Sequence, residues 1–157
     1  MDILTTILTN TYTANELRHR LIILRTYLEK KLFGNIIPGD FSPEDLNWLN
    51  SLEENFYLKF TKENLYSNFK DLENKISGLP HLTLYLAFET GPAQIEKISE
   101  WFKKNSTTRF IFDINLDPDL LGGVAIVYNG VYKDYSLRAK IQEQSQTILT
   151  EFKKYVR

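Results

Sequence analysis

The chain has 157 residues, 43% of them apolar, 13% aromatic and 25% charged, which suits one folded domain or two small ones rather than a disordered segment. The formal net charge is −1, with residues 1–79 near −2 and residues 80–157 near +1, so neither half has the one-signed field that draws a protein to nucleic acid or an anionic bilayer. There is no cysteine, which removes disulfides, thiolate metal sites and cysteine nucleophiles together and suits a reducing compartment.

No apolar run approaches the ~20 residues of a membrane-spanning helix. The opening Met1-Asp2-Ile3-Leu4-Thr5-Thr6 lacks the basic flank and long apolar core of a secretion signal. The expected location is the cytoplasm, with a membrane met only through partners.

A short opening helix is predicted over Ile3 to Leu8. Leu17, Leu21, Leu24, Leu28 and Leu32 recur at spacings of four and three, the inner stripe of a helix from about Asn15 to Phe33. Gly34 and Pro38-Gly39 stop it. Ser42-Pro43-Glu44-Asp45 restarts a helix: the serine caps free amides, proline suits the first helical position, and two acids meet the positive end of the dipole. Leu46, Leu49, Leu52 or Glu53, Phe56 and Phe60 continue its stripe. A further helix carries Leu65, Phe69, Leu72 and Ile76 and ends near Gly78 and Pro80.

After Pro80 the period changes from 3.6 to 2. Leu82, Leu84, Leu86 and Phe88 alternate with Thr83, Tyr85 and Ala87 as in a strand with one buried face. Gly91-Pro92 opens a helix with an inner stripe of Ile95, Ile98, Trp101 and Phe102. A second strand follows over Phe110 to Leu116, and the intervening helix makes the two strands parallel. A third strand, Val124 to Tyr128, meets Asn129-Gly130, a type I′ hairpin signal, and returns through Val131 to Lys133. The last helix begins near Ser136 with the stripe Leu137, Ile141, Gln144, Ile148, Phe152 and Tyr155. The expected class is therefore α+β: an N-terminal antiparallel helical bundle over 1–79, then a small β-α-β-β-β-α module over 80–157 with a long C-terminal helix.

Signatures of chemistry are missing. Gly122-Gly123 precedes a strand rather than a helix and no Lys-Ser or Lys-Thr follows, so it is not a phosphate loop. Asp113, Asp117, Asp119 and Asp134 suggest a magnesium site only weakly. Asp117-Pro118-Asp119 reads as turn chemistry, and Asp134 with Ser136 as a helix start. His19 and His81 stand in different halves without a serine partner. Basic residues gather at Lys103-Lys104, Arg109 and Lys153-Lys154-Arg157, the usual make-up of a solvated face. Trp48, Phe56, Phe60 and Trp101 at helical spacing read as core. No catalytic, cofactor-binding or metal-binding residue is assigned.

The stretch Leu116-Asp117-Pro118-Asp119-Leu120-Leu121-Gly122-Gly123-Val124-Ala125-Ile126-Val127, followed by Asp134-Tyr135-Ser136, carries a specific likeness. Residues 81–157 resemble the C-terminal part of the delta subunit of F-type ATP synthases, the oligomycin-sensitivity-conferring protein family. The motif residues are Asp117, Pro118, Gly122, Gly123, Asp134 and Ser136. The resemblance implies a non-catalytic peripheral-stalk (stator) subunit, without cofactor, peripheral to the membrane as part of the complex. It further implies that residues 1–79 grip alpha subunits of the catalytic head and residues 80–157 hold the b subunits of the stalk. Candidate partner-binding side chains are Leu137, Ile141, Ile148 and Phe152 on the last helix, and Leu17 and Leu21 on the first long one. Two other readings stay open: a free-standing helical adaptor, and a small metal-dependent hydrolase using Asp113, Asp117 and Asp134.

Overall fold

The computed structural model describes residues 2–9, 11–105 and 110–155, which divide into two units, residues 1–79 and 80–157.

The first unit is all helix: α1 (Ile3–Thr9), α2 (Ala14–Phe33), α3 (Pro43–Ser51), α4 (Glu54–Tyr57) and α5 (Leu65–Ser77). Thr13 starts α2, its hydroxyl oxygen accepting the Glu16 amide at 3.2 Å while Glu16 accepts the Tyr12 amide at 2.8 Å. Ser42 starts α3 in the same manner, accepting from the Asp45 amide at 3.1 Å with Pro43 at the first helical position. Leu17, Leu24 and Leu28 of α2 are buried with Ile7, Leu49, Phe56, Phe60, Leu65, Phe69 and Leu72, and Phe60 packs its ring 5.9 Å from that of Phe69. Leu21 and Leu32 are only half-buried. The Tyr57 hydroxyl donates to the Leu49 carbonyl at 2.6 Å, and burial pushes its pKa up.

Two sequence expectations fail in this unit. The helix begun at Pro43 does not run to Phe60. The Ser51 hydroxyl takes the Trp48 carbonyl at 2.6 Å and Leu52 turns extended (φ −80°, ψ 128°), a local competition that serine is prone to. Leu46 is exposed, so the inner line of α3 runs through Trp48, Leu49 and, beyond the break, Leu52.

The second unit contains β1 (His81–Leu86), α6 (Pro92–Asn105), β2 (Ile111–Leu116), a 3-10 turn (Pro118–Leu120), β3 (Val124–Tyr128), β4 (Val131–Asp134), α7 (Leu137–Glu143) and α8 (Ser145–Tyr155). The sheet order is β2-β1-β3-β4. β1 and β2 are parallel, with Leu82 beside Phe112 and Leu84 beside Ile114; β3 runs antiparallel to β1, with Ile126 beside Leu84. Leu82, Leu84 and Leu86 are buried while Thr83 and Tyr85 between them are half-buried, the alternation a one-sided strand requires. Phe102 of α6 meets Phe110 at 5.2 Å and Phe112 at 6.1 Å between ring centroids, so α6 lies over the β1–β2 side of this face. Asn129 and Gly130 both take positive φ (50° and 76°) and turn β3 into β4.

The long C-terminal helix is interrupted once. Gln144 leaves helical angles (φ −97°, ψ 6°) and separates α7 from α8. Among the described residues no helix is long and apolar enough to cross a membrane.

Candidate partner-binding surface

The junction from which α7 departs is built from the Asp-Pro, Gly-Gly and Asp-x-Ser residues. Asp117 caps the 3-10 turn by accepting the Asp119 amide at 3.1 Å, and Pro118 takes its first position. Leu120 of that turn is fully buried. Leu121 then adopts a left-handed conformation (φ 62°), and Gly123 follows at φ +81°. Backbone bonds from Tyr135 to Val124 and from Leu137 to Gly122, each 2.9 Å, stitch the start of β3 to the start of α7. A Cβ on Gly123 would meet the Tyr135 carbonyl there, so only glycine allows this approach.

Asp134 and Ser136 aim the helix that follows. The Ser136 amide donates to Asp134 Oδ1 at 2.8 Å, and the Ser136 hydroxyl accepts the Ala139 amide at 3.1 Å. Arg138 reaches Asp134 at 3.3 Å. Hydrogen bonding to Ser136 first, and then to Arg138, holds the Asp134 carboxyl below its usual pKa. Ser136 is fully buried, which anchors the first turn of α7.

From that anchored start α7 and α8 present an uncovered apolar stripe. Leu137 is 48% exposed, Ile141 42%, Ile148 44% and Phe152 69%, and neither helix has a buried residue. Leu17, in contrast, is 2% exposed inside its own bundle, leaving Leu21 as the partly accessible member of that pair.

A second apolar surface lies on the sheet, where sequence periodicity did not indicate one. A groove of about 680 Å³ is lined by Trp101, Phe102, Ile126, Tyr128 and Val131, with Lys133 as its charged group. Trp101 was expected in the core and is 60% exposed. The inner line of α6 passes instead through Ser99, which is buried and whose hydroxyl donates to the Ile95 carbonyl at 2.7 Å. The available signal was in the hairpin, where Tyr128 and Val131 flank the turn with exposed apolar side chains.

The acids of the hydrolase reading serve separate local purposes. Asp113 sits on β2 with its carboxylate 3.2 Å from His81, Asp117 caps a turn, and Asp134 holds Ser136. Among the described residues no group of three or more His, Cys, Asp or Glu is arranged to hold a metal ion. His19 lies 2.8 Å from Asp45, joining α2 to the start of α3. Of the basic residues singled out in the sequence, Arg109, Arg157 and the side chain of Lys103 lie outside the described residues, while Lys104, Lys153 and Lys154 are exposed.

Comparison with known proteins gives one consistent answer. The sequence pattern of the family described as "ATP synthase delta (OSCP) subunit" matches residues 6–148. The chain is 26% identical over 118 residues to ATP synthase subunit delta of Aromatoleum aromaticum and 31% identical over 118 residues to that of Janthinobacterium sp.. Each alignment covers 75% of this chain and 66% of the relative, so the chain spans just under two-thirds of those proteins' length. ATP synthase subunit delta of Clostridium beijerinckii is 27% identical over 129 residues, covering 80% of this chain and 70% of the relative.

Proposed function

The chain belongs to the ATP synthase delta (OSCP) subunit family, and from that membership we propose that it is a non-catalytic peripheral-stalk subunit joining the catalytic head of an F-type ATP synthase to its stalk. The match over residues 6–148 carries this reading, because it runs through both units rather than through the Gly-Gly junction alone. The work is mechanical: the head must resist rotor torque, which calls for affinity and stiffness at two sites and no bond making.

In this reading residues 1–79 bind alpha subunits of the head and residues 80–157 hold the b subunits of the stalk. The uncovered stripe of Leu137, Ile141, Ile148 and Phe152 has the spacing by which an amphipathic helix packs on partner helices. The tight approach at Gly123 and the double cap at Asp134 and Ser136 fix the direction in which α7 leaves the sheet. A force-bearing connector needs that fixed direction. The protein then sits at the cytoplasmic side of the membrane through the complex.

Tagged protein purified from its own cell under mild conditions tests this. Retention of alpha and b subunits is expected, with Phe152→Glu losing b and keeping alpha. Retention of neither subunit overturns the reading in favour of a free-standing adaptor.

A further inference from the structure

The turn between β3 and β4 carries a chemistry that a mechanical connector does not use. It is made by Asn129-Gly130, the only Asn-Gly pair in the sequence, and both residues are exposed. Conformation explains the pair: φ is 50° at Asn129 and 76° at Gly130, as a type I′ hairpin demands and most residues resist. The same pair is chemically weak. Asparagine is a thermolabile residue, because its side-chain carbonyl can close a ring with the next main-chain amide, and glycine has no side chain to shield that amide. A Cβ built on Gly130 meets nothing within 4 Å, so the surrounding structure does not shield it either.

The position in the sheet lets the ring close. β4 is four residues long and lies at the sheet edge, hydrogen-bonded to β3 alone. A short edge hairpin opens locally at small free-energy cost, and each opening frees the backbone on both sides of Asn129. Asn50-Ser51 supplies the contrast. It is also exposed and also precedes a small residue, yet it closes α3, where the helical ladder engages the next amide and fixes the backbone.

We propose that Asn129 is a site of spontaneous deamidation, with water as the only co-reactant, and that the reaction loosens the anchor of α7. The Gly130 nitrogen gives its proton to solvent and attacks Asn129 Cγ. An N–Cγ bond forms, and the side-chain nitrogen leaves as ammonia. Water then opens the cyclic imide. Cleavage of the new N–Cγ bond gives aspartate in the original main chain. Cleavage between the Gly130 nitrogen and the Asn129 main-chain carbonyl carbon gives isoaspartate, whose chain runs through Cβ and Cγ and is one atom longer.

That extra atom falls where register is set. Tyr128 pairs with Val131, Val127 with Tyr132 and Ala125 with Asp134 across the turn, and a two-residue loop has no slack. β4 leads directly to Asp134 and Ser136, whose hydrogen bonds start α7. Isoaspartate therefore disturbs that start, whereas aspartate suits a type I′ turn and leaves it in place. The reaction belongs to the isolated chain and does not depend on the stalk reading.

The test is incubation of the full-length protein in warm, mildly alkaline buffer, followed by peptide-resolved mass spectrometry with enzymatic methylation of isoaspartyl carboxylates. The peptide holding Asn129 is expected to convert to aspartate and isoaspartate before the peptide holding Asn50 changes. Asn129→Gly keeps a type I′ turn and should leave its peptide inert. Trypsin should then cut after Arg138 and Lys140 of α7 sooner in aged wild type than in fresh Asn129→Asp or in Asn129→Gly aged alongside. An Asn129 amide that persists, or that converts no faster than Asn50, overturns the site. Conversion to isoaspartate with unchanged cleavage in α7 overturns the link to the anchor. No synthase subunit is present, so either failure is distinct from a failure to co-purify alpha and b.

Discussion

A Cβ built on Gly123 stands 2.7 Å from the carbonyl oxygen of Tyr135 and 3.1 Å from the Ser136 Cα, both of them backbone atoms that cannot rotate away. Gly123 also holds φ +81°, in the left-handed region. Gly123→Ala therefore combines a backbone strain of about 1–2 kcal/mol with a steric overlap of similar size. Urea denaturation should show a loss of ~2–4 kcal/mol. Gly130→Ala is the control: φ +76° with nothing within 4 Å of the added Cβ, so only the strain remains.

The cap below that approach gives a pH dependence. Asp134 is held below its ordinary pKa by Ser136 and Arg138, so its contribution is fully present above the unfolded value of about 3.9 and is lost as pH falls through the folded pKa. Melting temperature against pH should fall less steeply on the acid side in Asp134→Asn than in the wild type. Ser136→Ala removes the acceptor for the Ala139 amide and the hydroxyl that bonds Asp134; it should cost about 1–2 kcal/mol at neutral pH and flatten the acid-side decline as well.

Tyr57 works in the opposite direction. Burial raises its pKa, so its contribution is complete below the unfolded value of about 10 and declines as pH climbs above it. Absorbance titration of the nine tyrosines should show Tyr57 ionising last, together with alkaline unfolding. Tyr57→Phe removes the bond to the Leu49 carbonyl and should cost about 1 kcal/mol at neutral pH.

Periodicity and punctuation made most of this architecture legible. Leu82, Leu84 and Leu86 declare a strand, Asn129-Gly130 a hairpin, and Ser42-Pro43 a helix start, because each rests on interactions within a few residues. Features set at longer range were hidden. Nothing local marks Leu121 for a left-handed conformation; a turn closed from both sides imposes it. Gln144 interrupts a helix without glycine or proline. Trp101 fits an inner stripe by spacing, yet it is exposed, while Ser99, a polar residue that periodicity passes over, is buried with its hydroxyl satisfied by the Ile95 carbonyl. The junction's residues were readable, and the direction in which they send α7 was not.

Leu17 and Phe152 were paired by the sequence as partner-facing, and the structure sets them at opposite limits of burial, 2% and 69% exposed. Leu17→Ala empties a site inside the bundle and should cost ~2–5 kcal/mol, so any loss of binding in that variant is confounded with unfolding. Phe152→Ala removes a side chain that is 69% exposed, and the unfolding free energy from urea denaturation should stay within about 0.5 kcal/mol of the wild type. Binding measured at equal folded fraction separates the two: a stalk-derived helix should lose affinity for Phe152→Ala and keep it for Leu17→Ala under conditions where the latter is folded. The reverse result would move the contact from the terminal helix to the bundle.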